Sequence, residues 1–216
     1  MTDTNIDTDE NNLQSLSTGD CVVNEIDSDF WVFGYGSLVW KVDFPIETQQ
    51  IGYIKGFQRR FYQNSIDHRG TVEKPGRVVT LVPADDETSV VYGVAYKIPK
   101  AKQQEVLEHL DYREKNGYER CLVPFYSLNA NKAGESIRNI VIYVATKEND
   151  SYAGHKNDLN DIANQIFEAH GPSGPNREYV FRLADAMRQF FPHHNDDHLF
   201  ELEKLLKERE RKSFNG

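Results

Sequence analysis

The feature that most constrains the fold is a change in hydrophobic period near Asn157. Before this point the apolar runs are short, β-branched and aromatic, which is typical of strands. After it, apolar residues recur at spacings of three and four, which is typical of helices. This order predicts an α+β protein, in which a mixed or antiparallel sheet or small barrel precedes a helical C-terminal part.

Six segments have strand composition. The predicted strands are 30–34, 51–62, 77–82, 90–98, 121–126 and 137–145. The polar segment 83–89 separates two of them, so we expect a hairpin between 77–82 and 90–98. Gly93, inside the second of these, predicts a bulge or a close backbone approach.

Four helices are expected. Pro99 opens the first, which should end near Asn116-Gly117. The others begin near Asn157, at Ser173-Gly-Pro175 and at Asn195, and His170-Gly171 stops the second. Gly171-Pro-Ser-Gly174 is then an interhelix turn with a helix-capping serine, although helix N-termini also attract anions.

The acidic charge is concentrated at one end. Residues 1–29 hold eight of the 34 acidic residues and no Lys or Arg, which leaves 26 acidic against 25 basic residues in the rest of the chain. We expect this tail to be disordered and residues 30–216 to form a single domain. Without a basic stripe, neither nucleic acid nor an anionic membrane is an expected partner.

The same composition favours a soluble cytosolic protein. No run of about 18 apolar residues is present, and the N-terminus lacks the basic and apolar regions of a secretory signal. Cys21 and Cys121 are the only cysteines, and Cys21 lies in the polar tail. We therefore expect reduced thiols and no disulfide framework.

The first candidate site is Gly34-Tyr-Gly-Ser37, directly after the first predicted strand. Two glycines allow the backbone to turn sharply and to aim successive N–H groups at a carboxylate or an oxyanion. The turn lacks the endings of the phosphate loop and of the dinucleotide fingerprint. By pattern alone, an ordinary strand-to-loop turn is the commoner explanation.

The second candidate is Glu114, at the C-terminal end of the helix that Pro99 opens. The negative end of a helix dipole disfavours a charged carboxylate and so favours a group that transfers protons. Arg113 and Lys115 oppose this effect if they pair with it, and a solvated ion pair is the simpler interpretation. Asp111 competes for the same role, and spacing does not choose between them.

The third candidate is the polar loop 64–76. His68 could carry a proton, and Arg69 or Arg77 could bind a carboxylate through a guanidinium fork. Internal hydrogen bonds that fix the loop explain these residues equally well.

Three further features are assigned to structure. His193, His194 and His198 straddle an expected helix start, so helix capping by Asn195 or an acidic neighbour is simpler than a metal site. Cys121 is expected to be a packed strand residue. Tyr143 is either a core aromatic or a phenol that faces a pocket.

Taken together, these motifs resemble the ChaC-type glutathione-specific γ-glutamylcyclotransferases. The resemblance runs from about Trp31 to the last helix. It rests on Val32-Phe-Gly-Tyr-Gly-Ser-Leu38, Arg60-Phe61, Asp67-His-Arg-Gly70, Pro75-Gly-Arg77, Arg113-Glu114, Gly117-Tyr118, Gly171-Pro-Ser-Gly174 and Glu178-Tyr179. Asn116, where a glycine is common, and Tyr143-Val-Ala-Thr146, in place of Tyr-Ile-Gly-Thr, depart from the family pattern.

The resemblance implies a small mixed β-barrel with peripheral helices, and a cytosolic enzyme that converts glutathione into 5-oxoproline and cysteinylglycine. It implies Glu114 as the acid/base, with neither a cofactor nor a metal. The implied substrate-binding residues are Val32, Phe33, Gly34, Tyr35, Gly36 and Ser37, and Arg69, Tyr118 and Tyr143 are further candidates. Two alternatives remain open: a cyclotransferase for other γ-glutamyl peptides or amines, and a non-catalytic γ-glutamyl-binding or interaction protein. The oligomeric state is not predicted.

Overall fold

A computed structural model describes residues 29–86, 88–113, 118–128, 136–145, 149–154 and 158–214. The acidic segment 1–28, predicted to be disordered, lies outside the described residues, and so does Glu114. The strands are β1 Trp31–Gly34, β2 Thr48–Lys55, β3 Phe57–Ser65, β4 Gly76–Pro83, β5 Val90–Lys97, β6 Tyr118–Ser127, β7 Ser136–Ala145, β8 His170–Gly171 and β9 Gly174–Pro175. The helices are α1 Gln103–Arg113, α2 Leu159–Glu168, α3 Asn176–Phe190 and α4 Asp197–Phe214.

Five strands close into a barrel in the order β1-β5-β2-β6-β7. Four of the neighbouring pairs are antiparallel. The fifth pair is parallel and joins β1 to β7, with Val32 opposite Val141. The barrel interior is aliphatic and aromatic, and Phe33, Ile54, Ala95 and Ile142 share one buried face of the sheet. The small mixed barrel with a helical C-terminal part, expected from the family resemblance, is confirmed.

Two strand predictions are wrong. The segment 51–62 is not one strand, because Gly56 has a φ of 76° and separates β2 from β3. Glycine takes this left-handed backbone without the steric penalty of a Cβ atom. Strands β4 and β5 do not form a hairpin: β4 pairs with β3, and β5 pairs with β1 and β2. Strands β3 and β4 thus form a hairpin outside the barrel, which we call the outer hairpin. After it, the chain continues into the barrel strand β5.

Gly93 marks a close backbone approach, as predicted. A Cβ atom there would collide with the carbonyl oxygen of Gly34 and with the ring of Phe33. Because Gly34 pairs with Val94 in the neighbouring strand, this contact brings β5 tightly against the end of β1.

The start of α3 differs from the expectation. The helix begins at Asn176 after Pro175, and no side chain caps it. The predicted capping role of Ser173 is wrong, because Pro175 stands at the N-cap position, two residues further on. The Ser173 backbone N–H donates to the His68 carbonyl at 2.9 Å. The short β8–β9 ribbon thus attaches to the loop 66–75, which precedes β4.

Helix α4 packs on the outer hairpin through His198. The Phe61 N–H donates to His198 Nε2 at 3.1 Å, and the two rings stack with centroids 6.0 Å apart. Asp196 caps the helix, since the Leu199 N–H donates to its Oδ1 at 3.1 Å, and its other oxygen accepts from Arg59 at 2.6 Å. The expected capping by an acidic neighbour is confirmed. Within the described ranges, no helix combines the length and apolar character needed to cross a membrane.

The buried imidazole predicts a specific loss of stability in acid. Burial and the nearby Arg60 lower the pKa of His198 from 6.5 to about 4, although Asp196 opposes the shift. The unfolded chain therefore binds more protons than the folded one between these values. The stabilisation is complete above about pH 6.5 and is lost as the pH falls toward 4, at a cost of up to about 3 kcal/mol.

Urea unfolding from pH 7 to pH 4 would measure this for the wild type and for His198→Gln. Other groups titrate in both proteins, so the difference between the two curves isolates His198. We expect the wild type to lose more free energy of unfolding than the variant, and parallel curves would contradict the assignment.

Candidate functional site

The glycine turn lies at one end of the barrel. Strand β1 ends at Gly34, and a 3₁₀ turn over Ser37–Val39 follows, with the Lys41 N–H donating to the Ser37 carbonyl at 2.9 Å. Because β7 is parallel to β1 and antiparallel to β6, the last residues of β7 and the first of β6 share this end. The turn, Tyr143 and Tyr118 are thereby brought to the same rim.

Both glycines of the turn are required by close packing. A Cβ atom on Gly34 would lie 2.7 Å from Leu38 Cβ. One on Gly36 would lie 2.8 Å from the Tyr179 hydroxyl and 2.9 Å from a methyl group of Val79. Gly36 has a φ of −117°, so contact rather than left-handed backbone demands glycine here. The turn is therefore pressed against α3 and the outer hairpin.

The side chains of Val32 and Phe33 are buried on opposite faces of β1, because successive residues of a strand alternate in direction. They are 0% and 2% exposed, and both residues pair with β5 in the sheet. Of the six predicted binding residues, these two are therefore packed in the core, and the ladder of β1 ends at Gly34. Tyr35, Gly36 and Ser37 are the part of the motif that continues beyond the sheet.

Tyrosine side chains connect the turn to α1. Tyr35 is buried, and its hydroxyl donates to the Tyr143 carbonyl at 2.5 Å. The Tyr143 hydroxyl donates in turn to Asp111 Oδ1 at 2.8 Å. Arg120 Nε lies 3.7 Å from the same carboxylate oxygen. Asp111, which competed with Glu114 for the acid/base role, is thus engaged with two partners.

Tyr118 also lies at this rim. It opens β6 opposite Ala145, and its hydroxyl donates to the Val79 carbonyl at 3.3 Å. The Ala145 N–H donates to Thr80 Oγ1 at 3.0 Å, which fastens the end of β7 to β4. The structure therefore groups Tyr118 and Tyr143 with the glycine turn. Glu114 falls in the segment between α1 and β6.

The third candidate region divides into two. Arg77 is buried and serves the scaffold: its Nε donates to Gln165 at 2.7 Å, and burial lowers its pKa. Arg69 donates to the Pro175 carbonyl at 3.0 Å and lies 3.6 Å from Glu178. Burial is the largest effect on Arg69 and lowers its pKa, against the attraction of Glu178. Arg69 thus holds the first turn of α3.

Tyr179 is not among the predicted site residues, although Glu178-Tyr179 is part of the family resemblance. Its hydroxyl lies against Gly36 of the glycine turn. Its ring is held by edge contacts with Trp40 and Phe61, whose centroids lie 5.1 and 6.0 Å away. One signal was available, since Tyr179 carries a hydroxyl and shares helical spacing with Leu183, Met187 and Phe190.

The histidine cluster and the cysteine serve packing. His198 Nε2 accepts from the Phe61 amide, and His194 stacks on Tyr92 with centroids 3.8 Å apart. In the part of the chain that the structure describes, no three His, Cys, Asp or Glu side chains converge as a metal ion requires. Cys121 is buried in β6, as predicted, and burial raises the pKa of its thiol. Cys21 lies outside the described residues.

The rim therefore combines backbone amides, tyrosine hydroxyls and carboxylates. Such groups suit the binding of a small polar molecule and a proton transfer on it. Ser37 begins a 3₁₀ turn and lacks the strand-to-helix elbow of a serine nucleophile.

Comparison with known proteins gives consistent matches. A family model described as "ChaC-like protein" matches residues 30–209. γ-Glutamylcyclotransferase 2-3 of Arabidopsis thaliana is 43% identical, over 83% of this chain and 92% of that protein. Glutathione-specific γ-glutamylcyclotransferase 1 of Danio rerio is 41% identical, over 83% and 89%. The glutathione-specific γ-glutamylcyclotransferase of Schizosaccharomyces pombe is 36% identical, over 85% and 95%.

A solved structure agrees with these sequences. The crystal structure of a selenomethionine-labelled γ-glutamyl cyclotransferase specific to glutathione, from yeast, is similar with a TM-score of 0.74 at 31% identity. The match covers 84% of this chain and 97% of that chain.

The packing of Gly36 yields a test that needs no substrate. Gly36→Ala should destabilise the fold by about 1–3 kcal/mol, because the added methyl group overpacks a site whose nearest atom is the Tyr179 hydroxyl. Tyr179→Phe removes that oxygen, so Gly36→Ala should cost less in the Tyr179→Phe background. Urea denaturation of the two single variants and the double variant would measure the coupling, and strictly additive losses would contradict the contact.

Proposed function

The chain belongs to the ChaC-like family, and from this premise we propose that it is a glutathione-specific γ-glutamylcyclotransferase that releases 5-oxoproline and cysteinylglycine. The observation that carries the proposal is the match to enzymes named for this activity over almost their whole length. The rim supports it with the glycine turn and tyrosines that the family motif contains.

The proposed reaction is an intramolecular aminolysis. The α-ammonium of the γ-glutamyl group loses a proton, and the free amine attacks the γ-carbonyl carbon. A new C–N bond closes the five-membered lactam, and the bond to the cysteinyl nitrogen breaks. The leaving nitrogen takes up a proton, so water is not consumed.

This chemistry explains why the site needs no protein nucleophile. Attack within one molecule depends on folding the substrate into a reactive shape, and well-oriented cases reach effective molarities of about 10⁵ M or more. The main tasks of the protein are to bend the γ-glutamyl group and to move one proton. Both tasks suit a tightly packed turn and a carboxylate that accepts and returns a proton.

We assign the binding task to the glycine turn. The amides of Tyr35, Gly36 and Ser37 follow directly where the ladder of β1 ends, and backbone N–H groups in a tight turn bind carboxylates and oxyanions. Val32 and Phe33 contribute by anchoring the turn in the core. Tyr118 and Tyr143 lie on the same rim and are proposed to border the substrate.

The proton task is assigned to Glu114. Glu114 follows α1, whose Asp111 contacts Tyr143 at this rim, and precedes Tyr118, which opens β6 at the same rim. Glu114 would take the proton from the α-ammonium and return it to the leaving nitrogen. Arg69 is proposed to help bind the substrate. It contacts Pro175 and Glu178 at the start of α3.

The proposal includes a cytosolic location. The buried, free thiol of Cys121 suits a reducing compartment, where glutathione is also kept reduced.

Direct product analysis tests the activity. Purified protein incubated with millimolar glutathione should release equimolar 5-oxoproline and cysteinylglycine. Parallel kcat/KM values for γ-glutamyl-alanine and γ-glutamyl-lysine separate a glutathione-specific enzyme from a broader cyclotransferase. If none of these compounds yields 5-oxoproline, the chain is a binding protein and the proposal is wrong.

The acid/base assignment has its own test. Glu114→Gln should fold and bind glutathione, but turnover should fall about 10²-fold or more, because the amide cannot carry the proton. Glu108→Gln is the matched control, since Glu108 lies on α1, is exposed and accepts from Gln104 at 2.8 Å. Near-wild-type release of 5-oxoproline by Glu114→Gln would refute the role, whereas the control should keep its activity.

A further inference from the structure

We infer that Asp111 is a positioning residue for the reaction. Its carboxylate ties the last turn of α1 to the rim of the barrel and thereby fixes the end of the helix that precedes Glu114 in the sequence. The inference rests on the proposed function and adds a residue to it.

Two neighbouring strands hold the Asp111 carboxylate. Its Oδ1 accepts from the Tyr143 hydroxyl at 2.8 Å and lies 3.7 Å from Arg120 Nε. Tyr143 in β7 and Arg120 in β6 stand directly opposite each other in the ladder. One carboxylate therefore bridges both strands at the point where they reach the rim.

Tyr143 is fixed at both of its polar ends. Its carbonyl accepts from the Tyr35 hydroxyl of the glycine turn, and its own hydroxyl donates to Asp111. The contacts form one continuous path from the turn, through β7, to α1. A shift of Asp111 would thus move the end of α1 relative to the glycine turn.

Burial makes the path stiff. Tyr143 and Arg120 are 6% and 8% exposed, so a hydrogen bond or ion pair that they make with Asp111 is poorly screened by water. The Asp111 side chain itself is 45% exposed, which places the anchor at the edge of the rim. A hydrogen bond and a cation on the same oxygen stabilise a fixed carboxylate, and this suits an anchor better than a proton carrier.

Kinetics of three variants on glutathione would test this role. Asp111→Ala and Tyr143→Phe should each lower kcat about 10- to 100-fold, the cost of a catalytic group displaced by about 1 Å. KM should change by less than about threefold, because the glycine turn remains intact. Asp111→Asn keeps an oxygen that can accept from Tyr143, so it should retain most of the wild-type kcat.

The double variant and a control complete the design. Asp111→Ala with Tyr143→Phe should be no slower than the slower single variant, because both remove the same contact. Glu108→Ala, three residues earlier on α1, should match the wild type. Far-UV circular dichroism checks folding. If Asp111→Ala does not fold, the kcat values of Tyr143→Phe and Asp111→Asn test the inference instead.

Each contrary outcome has a distinct meaning. Wild-type kcat in Asp111→Ala, or multiplied losses in the double variant, would overturn this inference alone. An Asp111→Asn variant as inactive as Glu114→Gln would make Asp111 itself a proton carrier and also overturn it. Absence of 5-oxoproline release by the wild type would overturn the proposed function, and this inference with it.

Discussion

The parallel pairing of β1 with β7 is the constraint on which the rest of the structure depends. It closes a barrel whose other neighbours are antiparallel, with Val32 opposite Val141. Had β7 run the other way, its end and the start of β6 would face the opposite rim from the glycine turn. This one pairing therefore decides that residues more than 100 positions apart, Tyr35 and Tyr143, meet through a hydrogen bond.

Glycine has a spatial function around this pairing. The missing Cβ of Gly93 lets the backbone of Gly34 approach, and the missing Cβ of Gly36 leaves room for Tyr179. The turn is thus enclosed from the barrel side and from the helical side. A turn held on both sides is already organised, and in the proposed binding role this would lower the entropic cost of binding.

Individual helices and strands were predictable where the spacing of apolar residues followed a single period. The apolar face of α2, the capping of α4 by an acidic residue and the strands around Cys121 and Ile140 followed from spacing and composition. The pairing of the strands was not predictable, because composition indicates where β4 and β5 begin and end but not which strands they pair with. The break between β2 and β3 at Gly56 was missed for a similar reason, since one glycine within a β-rich run has several structural explanations.

For the candidate site, pattern alone left Gly34–Ser37 as an ordinary turn and left Glu114 level with Asp111. The family resemblance favours Glu114 as the acid/base, and this stays a prediction because Glu114 lies outside the described residues. The structure adds the contact of Asp111 with Tyr143, which spacing could not predict. The place of Tyr179 depends on how α3 packs across the chain, and helical spacing alone carries no information about that contact.

The outer hairpin has a register shift between Arg60 and Gln63, and its two halves have different neighbours. Below the shift, Arg59 donates to the carbonyl of Tyr92 in the barrel. Above it, Asn64 and Arg77 both bond to Gln165 of α2. The hairpin thus connects the barrel with α2. Phe61 lies between its two halves, within the register shift, and its ring contacts Tyr179. Substitutions on the outer helices have a mechanical route to the glycine turn, so variants distant from the rim are expected to tune turnover as well as stability.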